Sequence, residues 1–151
     1  MIRIISVAAI LAVGATVAIA QGAGGAAAIA DRKAAMKAIG AANKDLGDMA
    51  KGDVAFDAAK AAASFKAMED NLAKSKGLYG DDAKTGADTA ALPAIWEKKA
   101  DFMAKFDKAV ADAKKAGANS KTEASFKEEH KAVVANCGGC HRDYRQPPPK
   151  K

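Results

Sequence analysis

The chain has 151 residues, with 24 Lys and Arg against 18 Asp and Glu for a formal charge of +6, and only 5% aromatic residues. That length accommodates one domain. The charges are scattered rather than gathered into a basic stripe and aromatics are few, which argues against nucleic-acid binding; most of the lysines read as a solvated helical surface.

In chain order, Arg3 precedes an uncharged apolar run from Ile4 to Ile19, and Ala18-Ile19-Ala20 offers small residues for cleavage before Gln21. This is the pattern of a secretory signal over residues 1–20, leaving a domain over 21–151. Ala28-Ile29-Ala30 offers a second small-x-small site further on. The run is short for a span and is followed by Gly and Ala rather than a basic stop, so no membrane anchor is expected after cleavage.

The remainder reads as helix throughout, rich in Ala, Lys and Asp with apolar residues returning every three or four positions. The first helix is expected over 27–50, with Ile29, Met36, Ile39, Leu46 and Met49 on one face and Lys51-Gly52-Asp53 ending it. The second is expected over 57–76, with Phe65, Met68 and Leu72 inward and Gly77 as its stop. A long polar connection, 77–92, leads to Pro93, which suits the first turn of a third helix over 93–116. That helix turns Ile95, Phe102, Phe106 and Val110 inward and stops at Gly117. A fourth runs from Thr122, where Thr122-x-x-Ser125 is a partial capping pattern, to Arg145 before the prolines. The expected fold class is all-α, an antiparallel up-down-up-down four-helix bundle.

Near the end stands Cys137-Gly138-Gly139-Cys140-His141, which contains the only two cysteines of the chain. Two thiols three apart, followed at once by an imidazole, are what covalent attachment of a c-type haem requires: each thiol adds to a vinyl group and the histidine offers a ring nitrogen to the iron. A thioredoxin-like pair would need a βαβ setting, and a zinc site would need more ligands than His130 can add. Export agrees with the motif, because bacterial c-type haem is attached after the chain crosses the membrane, and it places the protein in the periplasm. Phe126, His130, Val133, Cys137, Cys140/His141 and Tyr144 step by three and four, so the haem is expected on the buried face of the last helix, at one end of the bundle.

The other axial side of the iron could face His130 or one of the methionines. His130 lies eleven residues before His141 on one helix, about 16 Å along the axis, too far to reach across the porphyrin. Bundle direction excludes Met49, ranks Met36 first and Met68 second, and leaves Met103 mid-helix; a methionine on an apolar face is otherwise ordinary core packing.

The haem motif followed by Asp143-Tyr144-Arg145, and the central segment 86–97 with Pro93-Ala94-Ile95-Trp96, resemble the cytochrome c′ and cytochrome c-556 group, the class II cytochromes c. The resemblance spans Asp31 through Arg145. It implies one covalent haem c in a four-helix bundle. It also implies that Met36, in Arg32-Lys33-Ala34-Ala35-Met36, stands where low-spin c-556 proteins carry a ligating methionine and high-spin cytochromes c′ carry a bulky non-ligating residue. By the same resemblance Arg32 lies near a haem propionate, Arg145 beside the proximal imidazole, and Trp96 against the haem edge. Gly138-Gly139 departs from the bulkier pairs frequent between the cysteines and weakens the last turns of that helix.

The expectation is therefore a periplasmic, single-haem electron carrier closer to c-556, with His141/Met36 ligation and no catalytic residues. The alternative is a five-coordinate cytochrome c′ that binds NO or CO. A helical thiol or metal-binding protein of the cell envelope is a third, non-haem reading. Redox proteins are the expected partners, a mildly basic surface favouring acidic ones, and the alanine-rich outer faces suit either a homodimer or a monomer. Because the chain has little bulky core of its own, the protein stripped of porphyrin is expected to pack loosely. Its near-UV circular dichroism should be weak, and an intense, cooperatively melting near-UV spectrum would contradict this.

Overall fold

The computed structural model describes residues 21–147; the expected signal segment, 1–20, and residues 148–151 lie outside the described residues. Four long helices, α1 (Gln21–Lys51), α2 (Ala58–Lys76), α4 (Lys99–Asn119) and α5 (Glu123–Tyr144), form the bundle, with a short α3 (Ala94–Glu97) before α4. Sequential long helices pack as antiparallel neighbours, α1 on α2, α2 on α4 and α4 on α5, with a thinner α1–α5 contact closing the ring. The expected all-α architecture is the one observed.

Local chemistry accounts for most of the boundaries. At the end of α1, Gly52 adopts φ 84°, its N–H bonds the Met49 carbonyl at 3.2 Å and the Asp53 N–H bonds the Asp48 carbonyl at 2.9 Å. This is a Schellman stop, available to glycine without strain. The Asp57 carboxylate caps α2 by accepting from the Lys60 and Ala59 N–H groups at 3.0 and 2.9 Å, and those bonds hold its pKa below the usual range. At α5 the cap is more complete than the sequence pattern implied. Thr122 accepts from the Ser125 N–H and Ser125 Oγ accepts from the Thr122 N–H, both at 3.2 Å, a full capping box with Ser in the place of Glu.

Three boundaries differ from expectation for tertiary reasons. First, α1 extends back through the Gly-rich segment, because Gly25 is buried against the turn that follows α2; a Cβ there would collide with the Asp82 carbonyl oxygen. Second, the expected third helix is broken at Lys98 (φ −115°, ψ 43°) into α3 and α4. The break lets Trp96 Nε1 donate to the Gly80 carbonyl at 3.0 Å and Lys99 Nζ to the Tyr79 carbonyl. Third, Gly117 does not stop α4. The helix runs on past it beside α2, where even a Cβ would meet Phe65 only at ordinary contact distance, and it ends at Ser120, whose Oγ bonds the Ala116 carbonyl at 2.7 Å.

The expected inward residues form the core: Ile29, Leu46, Phe65, Met68 and Phe126 are fully buried, and Leu72, Phe102, Phe106 and Val133 nearly so. Phe126 is the hub at the end of the bundle remote from the haem motif, with ring centroids 5.2 Å from Phe56 and 6.2 Å from Phe65. Replacing Phe126 with Ala should cost about 3–5 kcal/mol of unfolding free energy, and Thr122→Ala about 1 kcal/mol. Urea melts of both variants check the ranking, which should hold whether or not the cofactor site is altered.

Candidate functional site

A cleft of about 670 Å³ opens at the end of the bundle where α1 and α4 begin and α5 finishes. Its size lies within the range of cofactor sites. Ile39, Tyr79, Ile95, Phe102 and Phe106 line it with apolar surface, while Cys137, Cys140 and His141 come from one turn and a half of α5. The helical register on α5 puts them there: Phe126, Val133 and Tyr144 are buried on the same helix face.

Both thiols are half-buried and unbridged. Burial raises the pKa of each, so they stay protonated and neutral, and Cys137 Sγ lies 3.6 Å from the Val133 carbonyl. His141 stands at the open side of the cleft. Partial burial, and next the neighbouring Arg145, lower its pKa, leaving a neutral ring with a lone pair available to a metal. Two thiols, a neutral imidazole and an aromatic-walled slot of this volume fit a covalently held porphyrin.

Met36 lines the same cleft from α1, half-buried. Met68 and Met103 do not line it, and Met68 is fully enclosed in the core. His130 is likewise elsewhere, with Nε2 3.2 Å from Asn43 Oδ1 and its ring stacked on Phe126 at 5.9 Å. The second-ranked Met68 is thereby set aside on position alone.

Arg32 also lines the cleft, but it is neither solvated nor loosely held. Only 3% exposed, its guanidinium donates to the carbonyls of Ala83 at 2.9 Å and Leu78 at 3.5 Å and to Thr89 Oγ1 at 2.7 Å, and it lies 5.0 Å over the Tyr79 ring and 5.9 Å over Trp96. Burial lowers its pKa, with Tyr79 opposing. No carboxylate pairs with it among the described residues. Three of its five donors are used on the 78–89 segment, which leaves two for an anionic group in the cleft.

Arg145 is exposed at the mouth and Trp96 lies outside the lining, behind Tyr79 at 6.5 Å. The end of α5 is tied to the segment before α3 by an antiparallel bridge between Ala91 and Arg145, with Leu92 N–H bonding the Tyr144 carbonyl at 3.0 Å and Gln146 N–H the Ala90 carbonyl at 2.8 Å. Tyr144 reaches from the cleft wall to Asp101 on α4; that hydrogen bond, with burial, pushes its phenol up to about 12. Sequence reasoning missed Tyr79, Thr89 and Ala91, all within a connection read as polar. A lone tyrosine in a Gly-rich loop was the available signal.

The family model described as cytochrome c′ matches residues 27–145. The chain belongs to the cytochrome c′ family. It is 42% identical to a cytochrome c′ of Rhodopseudomonas palustris, over 95% of this chain and 96% of that one. It is 36% identical to a cytochrome c-556 of Agrobacterium fabrum, over 76% and 77% respectively. A solved cytochrome c′ from Rhodopseudomonas palustris superposes with a TM-score of 0.78 at 43% identity, covering 81% of this chain and 98% of that chain. Proteins of the cytochrome c′ family bind a single, covalently attached haem c, and the cleft fits that cofactor.

Replacing Arg32 with Leu should cost about 1.5–3 kcal/mol by orphaning the carbonyls it serves. Hydrogen exchange should rise most at residues 78–89; a uniform rise over the bundle would contradict the clamp.

Proposed function

We propose that this chain is an exported cytochrome c′ in which Cys137 and Cys140 carry the haem, His141 is the protein ligand to iron, and Met36 covers the opposite face without binding it. The likeness to a cytochrome c′ at 42% identity over 95% of the chain is the observation that carries this reading. It favours the open-face alternative over the His/Met carrier that the methionine alone suggested. Two observations favour the low-spin reading: Met36 is the one methionine among the described residues that lines the cleft, and c-556 relatives are also similar.

When bound, the haem supplies a one-electron Fe(III)/Fe(II) couple and a coordination position for a diatomic molecule such as NO or CO. The protein's own groups do the rest. Cys137 and Cys140 would hold the haem through thioethers, the product of adding each S–H across a vinyl double bond, which requires no oxidant. His141 offers its lone pair without first losing a proton. The flexible thioether of Met36 sets how much room is left opposite. Arg32 places buried positive charge beside the cleft, which disfavours the oxidised, more positive iron and favours a carboxylate close by. We read the protein as a non-enzymatic redox or gas-binding module of the periplasm.

The ferric and ferrous optical spectra decide between the two ligations. Five-coordination gives a high-spin ferric spectrum and CO binding at a rate linear in CO, and Met36→Ala then changes that rate but not the spin state. A low-spin spectrum with a methionine charge-transfer band, lost in Met36→Ala, would transfer the assignment to the carrier. Denaturing mass spectrometry checks attachment: the haem increment should survive in the native sequence and disappear from the Cys137→Ser/Cys140→Ser variant.

A further inference from the structure

We propose that the mouth of the haem cleft is a docking surface for an acidic electron-transfer protein, centred on Lys37 and Arg145; this deepens, and rests on, the haem reading above. Lys37 on α1 and Arg145 at the end of α5 reach the mouth from opposite walls, and both are exposed. Neither joins an ion pair among the described residues, whereas the nearby cations Lys44, Lys105 and Arg142 are each held by carboxylates. Lys33 is a third exposed cation, held by Asp88 through a 3.7 Å ion pair and a 3.3 Å hydrogen bond to its carbonyl. Among the described residues Asp88 is the one carboxylate lining the cleft, against Arg32, Lys33, Lys37 and Arg145, so the protein groups there sum to a positive charge.

The ground between these cations is low. Gly40 is exposed, with no atom within 4 Å of where a Cβ would stand, and the facing segment presents Ala90 and Ala91. A partner's surface can therefore approach the cleft closely, which matters because electron transfer slows steeply with distance. Exposed, unpaired charges contribute little to folding. They act at range, raising encounter with an oppositely charged partner and orienting it at the opening. The surface consequently selects a partner with a carboxylate-rich patch around its own redox centre.

The test uses the haem-loaded protein and two small oxidants of opposite charge, hexacyanoferrate(III) and tris(phenanthroline)cobalt(III). In each reaction one electron leaves the reduced protein and reduces one metal complex, and no bond forms or breaks. At low ionic strength the Lys37→Glu/Arg145→Glu variant should react about tenfold more slowly with the anionic reagent and faster with the cationic one. The difference should fade near 1 M salt, where screening acts within about 3 Å. Poly-glutamate should slow the hexacyanoferrate reaction of the native sequence but not that of the variant. Lys37→Glu alone should show the same trend, while Lys114→Glu, an identical charge change further along α4, should leave both rates nearly unaltered. Equal effects from Lys37→Glu and Lys114→Glu would overturn the proposal. So would both reagents changing in the same direction together with the reduction potential, which would assign these cations to the porphyrin carboxylates. A protein that neither reagent oxidises, in spite of an intact haem mass, would defeat the redox reading itself.

Discussion

A bundle that must keep a slot of about 670 Å³ between α1 and α5 cannot rely on helix-to-helix packing at that end. The α1–α5 contact is the thin side of the ring, and the apolar side chains that meet elsewhere in the core here face the slot instead. Dispersion and hydrophobic contact are lost wherever walls stand apart. The structure answers this with polar ties at the rim. The Ala91–Arg145 bridge fastens the end of α5 to the segment before α3, and Arg32 fastens α1 to the connection after α2.

Arg32 connects several features that would otherwise look unrelated. Gly25 allows α1 to lie against the 81–84 turn, so the guanidinium one helical stretch later meets the Ala83 carbonyl. Tyr79 and Trp96 both lie beside its charge, and Trp96 in turn bonds Gly80, across the break between α3 and α4. A buried cation is costly unless its donors are satisfied. Here backbone carbonyls and a threonine satisfy three of them, and the remaining capacity is directed to an anion-bearing cofactor. Stability of the connection and recognition of the cofactor thus draw on one side chain.

Electrostatics divide the molecule by region. Along the outer helix faces, Lys–Asp and Lys–Glu pairs at i,i+4 spacing neutralise one another, as in Lys44–Asp48, Lys66–Asp70 and Lys108–Asp112. At the cleft mouth the cations have few such partners. The exposed charges of Lys37 and Arg145, which join no ion pair among the described residues, thus stand where a redox partner or a porphyrin carboxylate would meet them.

The chemistry of the site was legible because it is local. Cys137, Cys140 and His141 share one helix, so spacing alone carries them to one face, and periodicity carries Phe65, Met68, Leu72, Phe102 and Phe126 inward in the same way. The stop at Gly52 and the cap at Thr122 followed from residue chemistry. What required tertiary structure is everything that depends on two segments meeting. Gly117 reads as a stop until α4 is seen to run on past it beside α2; the 77–92 connection reads as polar until Arg32 is seen to bond its carbonyls and Thr89. Bundle direction already ranks Met36 above Met68, but only the folded bundle shows Met36 lining the cleft and Met68 enclosed in the core. Periodicity specifies which way a side chain points on its own helix, whereas the partner it meets is set by contacts distant in sequence, and those no local pattern encodes.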